Sequence, residues 1–209
     1  MPTSDNQVVE RLQPRKGPLW DEVRLQRSRL EGAPDSAAPR LAIARTYLQI
    51  HQGTGDPRFL GYAEAALLPW AHSSPAPLDV SLVRVHLLQA QHQFDKAAKL
   101  LDEILQRDSR QPDAWLQLAS INQLRGDFTA ARRACAHLIA LGEPAIASGC
   151  LAAVQGMTGA SAAGLDLLAR QLAADAEPAP AISIWLRTLS AELATGLQRY
   201  PEAEEQFRR

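Results

Sequence analysis

The stretch PDAWLQLASINQLRGDFTAARRACAHLIALGEP, residues 112–144, decides the fold. Pro112 stands where a helix can begin. Trp115, Leu118, Ala119 and Asn122 follow at three- and four-residue spacing, which marks one face of a helix. Gly126 and Asp127 interrupt that face. Phe128, Ala131, Cys135 and Leu138 then trace a second helical face, which Gly142 and Pro144 close. A link this short forces the two helices to lie antiparallel.

The pattern recurs upstream. Phe94 and Phe128 are 34 residues apart, as are Ala97 and Ala131, Leu101 and Cys135, and Ile104 and Leu138. Each set has an aromatic, a small residue and two apolar positions on one face, so a neighbouring helix must come close at the small residue. One helix pair cannot bury such a face alone, and stacking several makes a continuous core. Weaker copies flank the middle. Tyr62, Ala65 and Ala66 take the places of Phe94, Ala97 and Ala98, and Leu151, Ala152 and Gly159 follow Leu118, Ala119 and Gly126 at a shift of 33. Tyr200, Ala203 and Phe207 repeat the aromatic, small, apolar spacing near the end.

Residues 112–144 resemble the tetratricopeptide repeat (TPR) family at Trp115, Leu118, Ala119, Gly126, Phe128, Ala131, Leu138 and Pro144. They depart from it at Asn122, where an aromatic is usual, which predicts a less tightly packed pair. The resemblance implies an all-α fold, a right-handed α-solenoid of antiparallel helix pairs with one concave and one convex surface. The expected organisation is an irregular polar arm at 1–17, a docking helix and turn at 18–34 anchored by Trp20, and a repeat domain at 39–209. The pairs fall at 39–71, 78–111, 112–144, 145–176 and 177–209. The last stops inside a helix at Gln206-Phe207-Arg208-Arg209, which is read as a truncation or as an open end covered by a partner or a second copy.

Composition excludes several classes of function. The 209 residues carry a formal net charge of −1, so the basic face of a nucleic-acid binder is not expected. No apolar run approaches the roughly 20 residues of a membrane span. The polar start, Met1 to Gln7, lacks the apolar core of a signal peptide, which leaves a chain without a leader or one whose leader is gone. Among His51, His72, His86, His92 and His137 no two are four residues apart, so no metal site is expected. Gly53-Thr54-Gly55 lacks the lysine and hydroxyl of a phosphate loop and reads as a helix stop and cap. No nucleophile elbow or other catalytic constellation is present, so neither an enzyme nor a cofactor is expected.

What remains is a scaffold for a protein or peptide partner. In TPR-like arrays the first helix of each pair lines the concave groove. Helical phase then exposes Asp79, Leu82, His86 and Gln89 on one such helix and Asp113, Leu116, Ser120 and Gln123 on the next, with Ile146, Gly149, Ala153 and Met157 beyond. Leu anchors with Gln and Ser donors suit a segment laid in a groove. Alternative readings are a targeting or regulatory arm of a larger protein or enzyme, or a self-assembly module pairing copies through the open C-terminal end. Cys135 and Cys150 fall on helices expected to touch, so they form either a disulfide or two separate buried thiols. A bridge would tip the compartment toward a periplasm and away from a cytoplasm.

Overall fold

The computed structural model describes residues 15–174 and 179–208. Most of the arm expected at 1–17, and the expected junction between the last two pairs at 176/177, lie outside them. Among the described residues there are eleven α-helices, one 3₁₀ turn and no strand. The chain divides into two compact units, one ending at His92 and the other starting at Gln93.

The first unit holds α1 (Pro18–Gly32), α2 (Ala37–Thr54), α3 (Arg58–Ala66), a 3₁₀ turn (Leu68–Trp70) and α4 (Leu78–Ala90). Its core joins Val23 of α1 to Leu41, Ala44, Tyr47 and Leu48 of α2, Phe59 and Ala63 of α3, and Val80 and Val83 of α4. Trp20 packs partly buried on this core and meets Phe59 edge to face, with ring centroids 5.6 Å apart. α3 departs from the register expected for Tyr62, Ala65 and Ala66. Tyr62 is 51% exposed, and Phe59 at 3% is the buried aromatic. Phe59, Leu60 and Ala63 are the positions this short helix turns inward.

The second unit holds α5 (Phe94–Arg107), α6 (Pro112–Leu124), α7 (Phe128–Ala140), α8 (Pro144–Met157), α9 (Ser161–Ala174), α10 (Pro180–Gly196) and α11 (Tyr200–Arg208). Consecutive helices from α5 to α11 touch, and so do α6 with α8 and α8 with α10. That double set of contacts is what stacking of helix pairs requires. Pro112, Pro144 and Pro180 each occupy the first turn of a helix, where the missing N–H has no partner to lose. Gly126, at φ 75°, ends α6 in the left-handed region, which glycine enters without steric cost. Asp127 then caps α7, its side chain accepting from the Ala130 N–H at 2.8 Å.

Ala97, Leu101 and Ile104 of α5 are fully buried, as are Ala131, Cys135 and Leu138 of α7. Cys135 of α7 is joined to Cys150 of α8 by a disulfide, with Cα atoms 5.6 Å apart. Two C-terminal readings change. Ala203 is buried, whereas Tyr200 and Phe207 are 61% and 65% exposed. Gly149 is buried rather than surface-facing. A Cβ there would lie 2.4 Å from Trp185 Cη2 and Cζ3, so α8 uses the bare backbone of Gly149 to admit α10.

Candidate functional site

α2 and α4 pack together in the first unit. Arg45, Leu48, Gln49 and Gln52 lie three and four residues apart on α2, and His86, Gln89 and Ala90 do the same on α4. These two stripes face one cavity of about 540 Å³, which His51, Gly55 and His92 complete. The volume falls within the ~300–1,000 Å³ of ligand clefts and suits a short stretch of polypeptide.

The local sequence builds this end of the cavity. Gly55 adopts φ 67° and returns its N–H to the His51 carbonyl at 2.7 Å, stopping α2. His51 Nδ1 lies 3.0 Å from the Asp56 carbonyl oxygen, which fixes the imidazole. Asp56 starts α3, accepting from the Arg58 N–H at 3.0 Å and from Arg58 Nη2 at 2.6 Å. Those bonds from the Arg58 side chain and backbone lower the Asp56 pKa to about 2. At the far end, His92 has φ 58°. It stands 34 residues before Gly126, in the turn where the next pair uses glycine. Histidine in that conformation is uncommon and strained, and strain tends to be kept where it serves a site.

The cavity is rich in groups that hydrogen-bond both ways. Gln49, Gln52 and Gln89 each offer a carboxamide oxygen and NH₂, matching the C=O and N–H of an extended chain. Arg45 supplies a permanent cation, and none of the described lining residues is acidic. Among the described residues, no group of three or more His, Cys, Asp or Glu could hold a metal ion.

His86 and Gln89, picked from helical phase, both line this cavity. Asp79 and Leu82 lie nearer the start of α4. The Asp79 carboxylate accepts from the Val80 N–H at 2.9 Å, and Leu82 is half-buried. Asp113 and Ser120 are placed on α6 in the second unit, where Ser120 is exposed and Leu116 is half-buried. The Ser120 hydroxyl donates to the Leu116 carbonyl at 3.2 Å. Gln123 lies one turn further along the same helix. Sequence reasoning missed Arg45, Gln49 and Gln52, whose spacing on α2 was a readable signal. It also missed Gln117 of α6, which is 5% exposed and has neither carboxamide atom hydrogen-bonded.

Residues 88–152 match the sequence profile described as "Tetratricopeptide repeat". No curated protein sequence matches the chain. Among solved structures, a thermophilic TPR protein of Thermus thermophilus superposes with TM-score 0.67 at 16% identity, covering 84% of this chain and 89% of that one. A chain of the APC/C hetero-tetramer Cut9–Hcn1 gives TM-score 0.65 at 13% identity over 91% of this chain, which spans 34% of that longer one. Nearly identical TPR-like repeats of a kinesin light chain from Podosopora anserina give TM-score 0.54 at 19% identity, covering 87% and 92%. The fold is therefore the all-α solenoid of tetratricopeptide repeats.

Proposed function

We propose that this chain, a tetratricopeptide-repeat fold with a matching segment at 88–152, is a non-catalytic scaffold that holds a segment of a partner protein in the α2–α4 cavity. The observation that supports this most is the cavity's lining. Three glutamines and three histidines surround one arginine, with no acidic residue among the described lining. Glutamines serve the main chain of an extended segment, and Arg45 favours a carboxylate beside it. Leu48 and Ala90 leave apolar ground for a small side chain. A similar fold found in an assembly, the Cut9–Hcn1 hetero-tetramer, is consistent with this use. Asp79 and Leu82 extend the proposed surface along α4, and Asp113, Leu116, Ser120 and Gln123 form a separate proposed strip on α6 of the second unit.

Selection of random peptides displayed on phage tests the reading. Peptides bound by the chain should carry an acidic residue. They should lose at least tenfold in affinity to a variant with Arg45→Glu and Gln89→Ala. Equal binding to both proteins would refute it. The Cys135–Cys150 disulfide supports an oxidising compartment for the protein, and trapping its redox state in cells tests that.

A second reading rests on exposed apolar side chains. Ile184 of α10 and Tyr200 and Phe207 of α11 are each more than half exposed, which suits pairing between copies. Sedimentation should then show a dimer that Ile184→Glu with Phe207→Glu dissociates. A monomer at high concentration would remove this reading.

A further inference from the structure

Asn122 is the position where the repeat pattern has an aromatic. In the structure it borders a second cavity, of about 330 Å³, between α5, α6 and α7. Ala98, Ala130 and Ala134 contribute only methyl groups to its lining. The Asn122 carboxamide is smaller than the aromatic it replaces and leaves that space open. Trp115 forms one wall, its indole stacked on the His137 imidazole with centroids 3.8 Å apart and planes 8° from parallel. The indole N–H donates to the Ser109 carbonyl at 2.9 Å, which favours this orientation of the ring.

Polar groups share the lining with these methyl groups, the Asp102 carboxylate among them. The Asn122 carboxamide has no hydrogen-bond partner among the described residues, and it offers both a donor and an acceptor. At the rim Arg125 is engaged by Asp95, whereas Arg133 has no ion-pair partner among the described residues. The size is at the lower end of ligand clefts, so the hollow admits one side chain rather than a strand of polypeptide. Aromatic walls favour an aromatic guest, and the unpaired guanidinium favours a carboxylate next to it.

We propose that this cavity binds a tyrosine-like aromatic side chain of a partner protein, with its hydroxyl at Asn122 and an acidic neighbour against Arg133. It uses helices other than α2 and α4, so it stands or falls independently of the α2–α4 reading.

The test uses the full chain and 4-hydroxyphenylacetate, which joins a phenol to a carboxylate, with acetate as the comparison. The Trp115 indole N–H signal is followed by NMR. The expected result is a saturable shift with 4-hydroxyphenylacetate and none with acetate. Asn122→Phe should abolish it by filling the cavity, and Arg133→Glu should weaken binding at least fivefold. Asn122→Leu gives the same comparison with a smaller side chain, so a failure of the Phe variant to fold does not decide the matter. No saturable shift, an equal response to acetate, or an unchanged response in the filled variants would overturn the proposal.

Discussion

Replacing Gly149 by alanine tests how the helix pairs of the second unit stack. The added Cβ would lie 2.4 Å from two ring carbons of Trp185 and 2.9 Å from Leu186 Cδ2. Carbon atoms rest ~3.5–4.0 Å apart, so α10 must give way. Overpacking of this kind costs about 1–3 kcal/mol. Alanine in a helix interior recovers about 0.8–1.0 kcal/mol over glycine. The net expectation is a loss of about 1 kcal/mol, and at most about 2 kcal/mol. Gly61→Ala in α3 is the control, because a Cβ there meets nothing within 4 Å. It should gain about 0.5–1 kcal/mol from propensity alone. Urea denaturation followed by tryptophan fluorescence gives both midpoints, and unchanged slopes show that stability alone has moved. The two substitutions should differ in sign. If Gly149→Ala stabilises the protein as much as Gly61→Ala does, α10 does not pack on α8 at this point.

Other consequences are as direct. The Cys135–Cys150 disulfide spans a sequence separation of 15, which corresponds to about 3 kcal/mol of loop-closure stabilisation. Reduction should therefore lower the melting temperature by about 6–12 °C at ~2–4 °C per kcal/mol, and a melting temperature indifferent to reductant would show the thiols unbonded. His92→Gly should relieve the left-handed strain and add about 1 kcal/mol of stability while weakening peptide binding, since an imidazole leaves the cavity wall. Unchanged binding would separate His92 from the site. Because its folded pKa, about 2, lies below the ordinary 3.8, Asp56 stabilises the fold fully above pH 3.8. That contribution fades as the pH falls to about 2. Asp56→Asn should flatten this acid limb, and an NMR titration placing the Asp56 midpoint near 3.8 would contradict the Arg58 pairing.

The parts of the fold that could be read in the sequence are those set by one helix's own periodicity. Leu101, Ile104, Cys135 and Leu138 recur at core spacing, and all four are fully buried. What could not be read depends on a neighbour far along the chain. Gly149 looked surface-facing because its own helix carries no sign of Trp185, 36 residues later. Tyr62 looked like the core aromatic because it fits the repeat register, but α3 turns Phe59 and Ala63 inward. The phase of α4 picks out His86 and Gln89; the spacing of Arg45, Gln49 and Gln52 on α2 was equally readable, but only the packing of α2 on α4 shows that the two stripes face one cavity.

Hydrogen exchange of the chain with and without a peptide selected for tight binding tests the scaffold reading most directly. The account predicts slowed exchange in the last turns of α2 and α4 and in the turns that carry Gly55 and His92, where the cavity lining is concentrated. Protection confined to α10 and α11, with α2 and α4 unchanged, would contradict it.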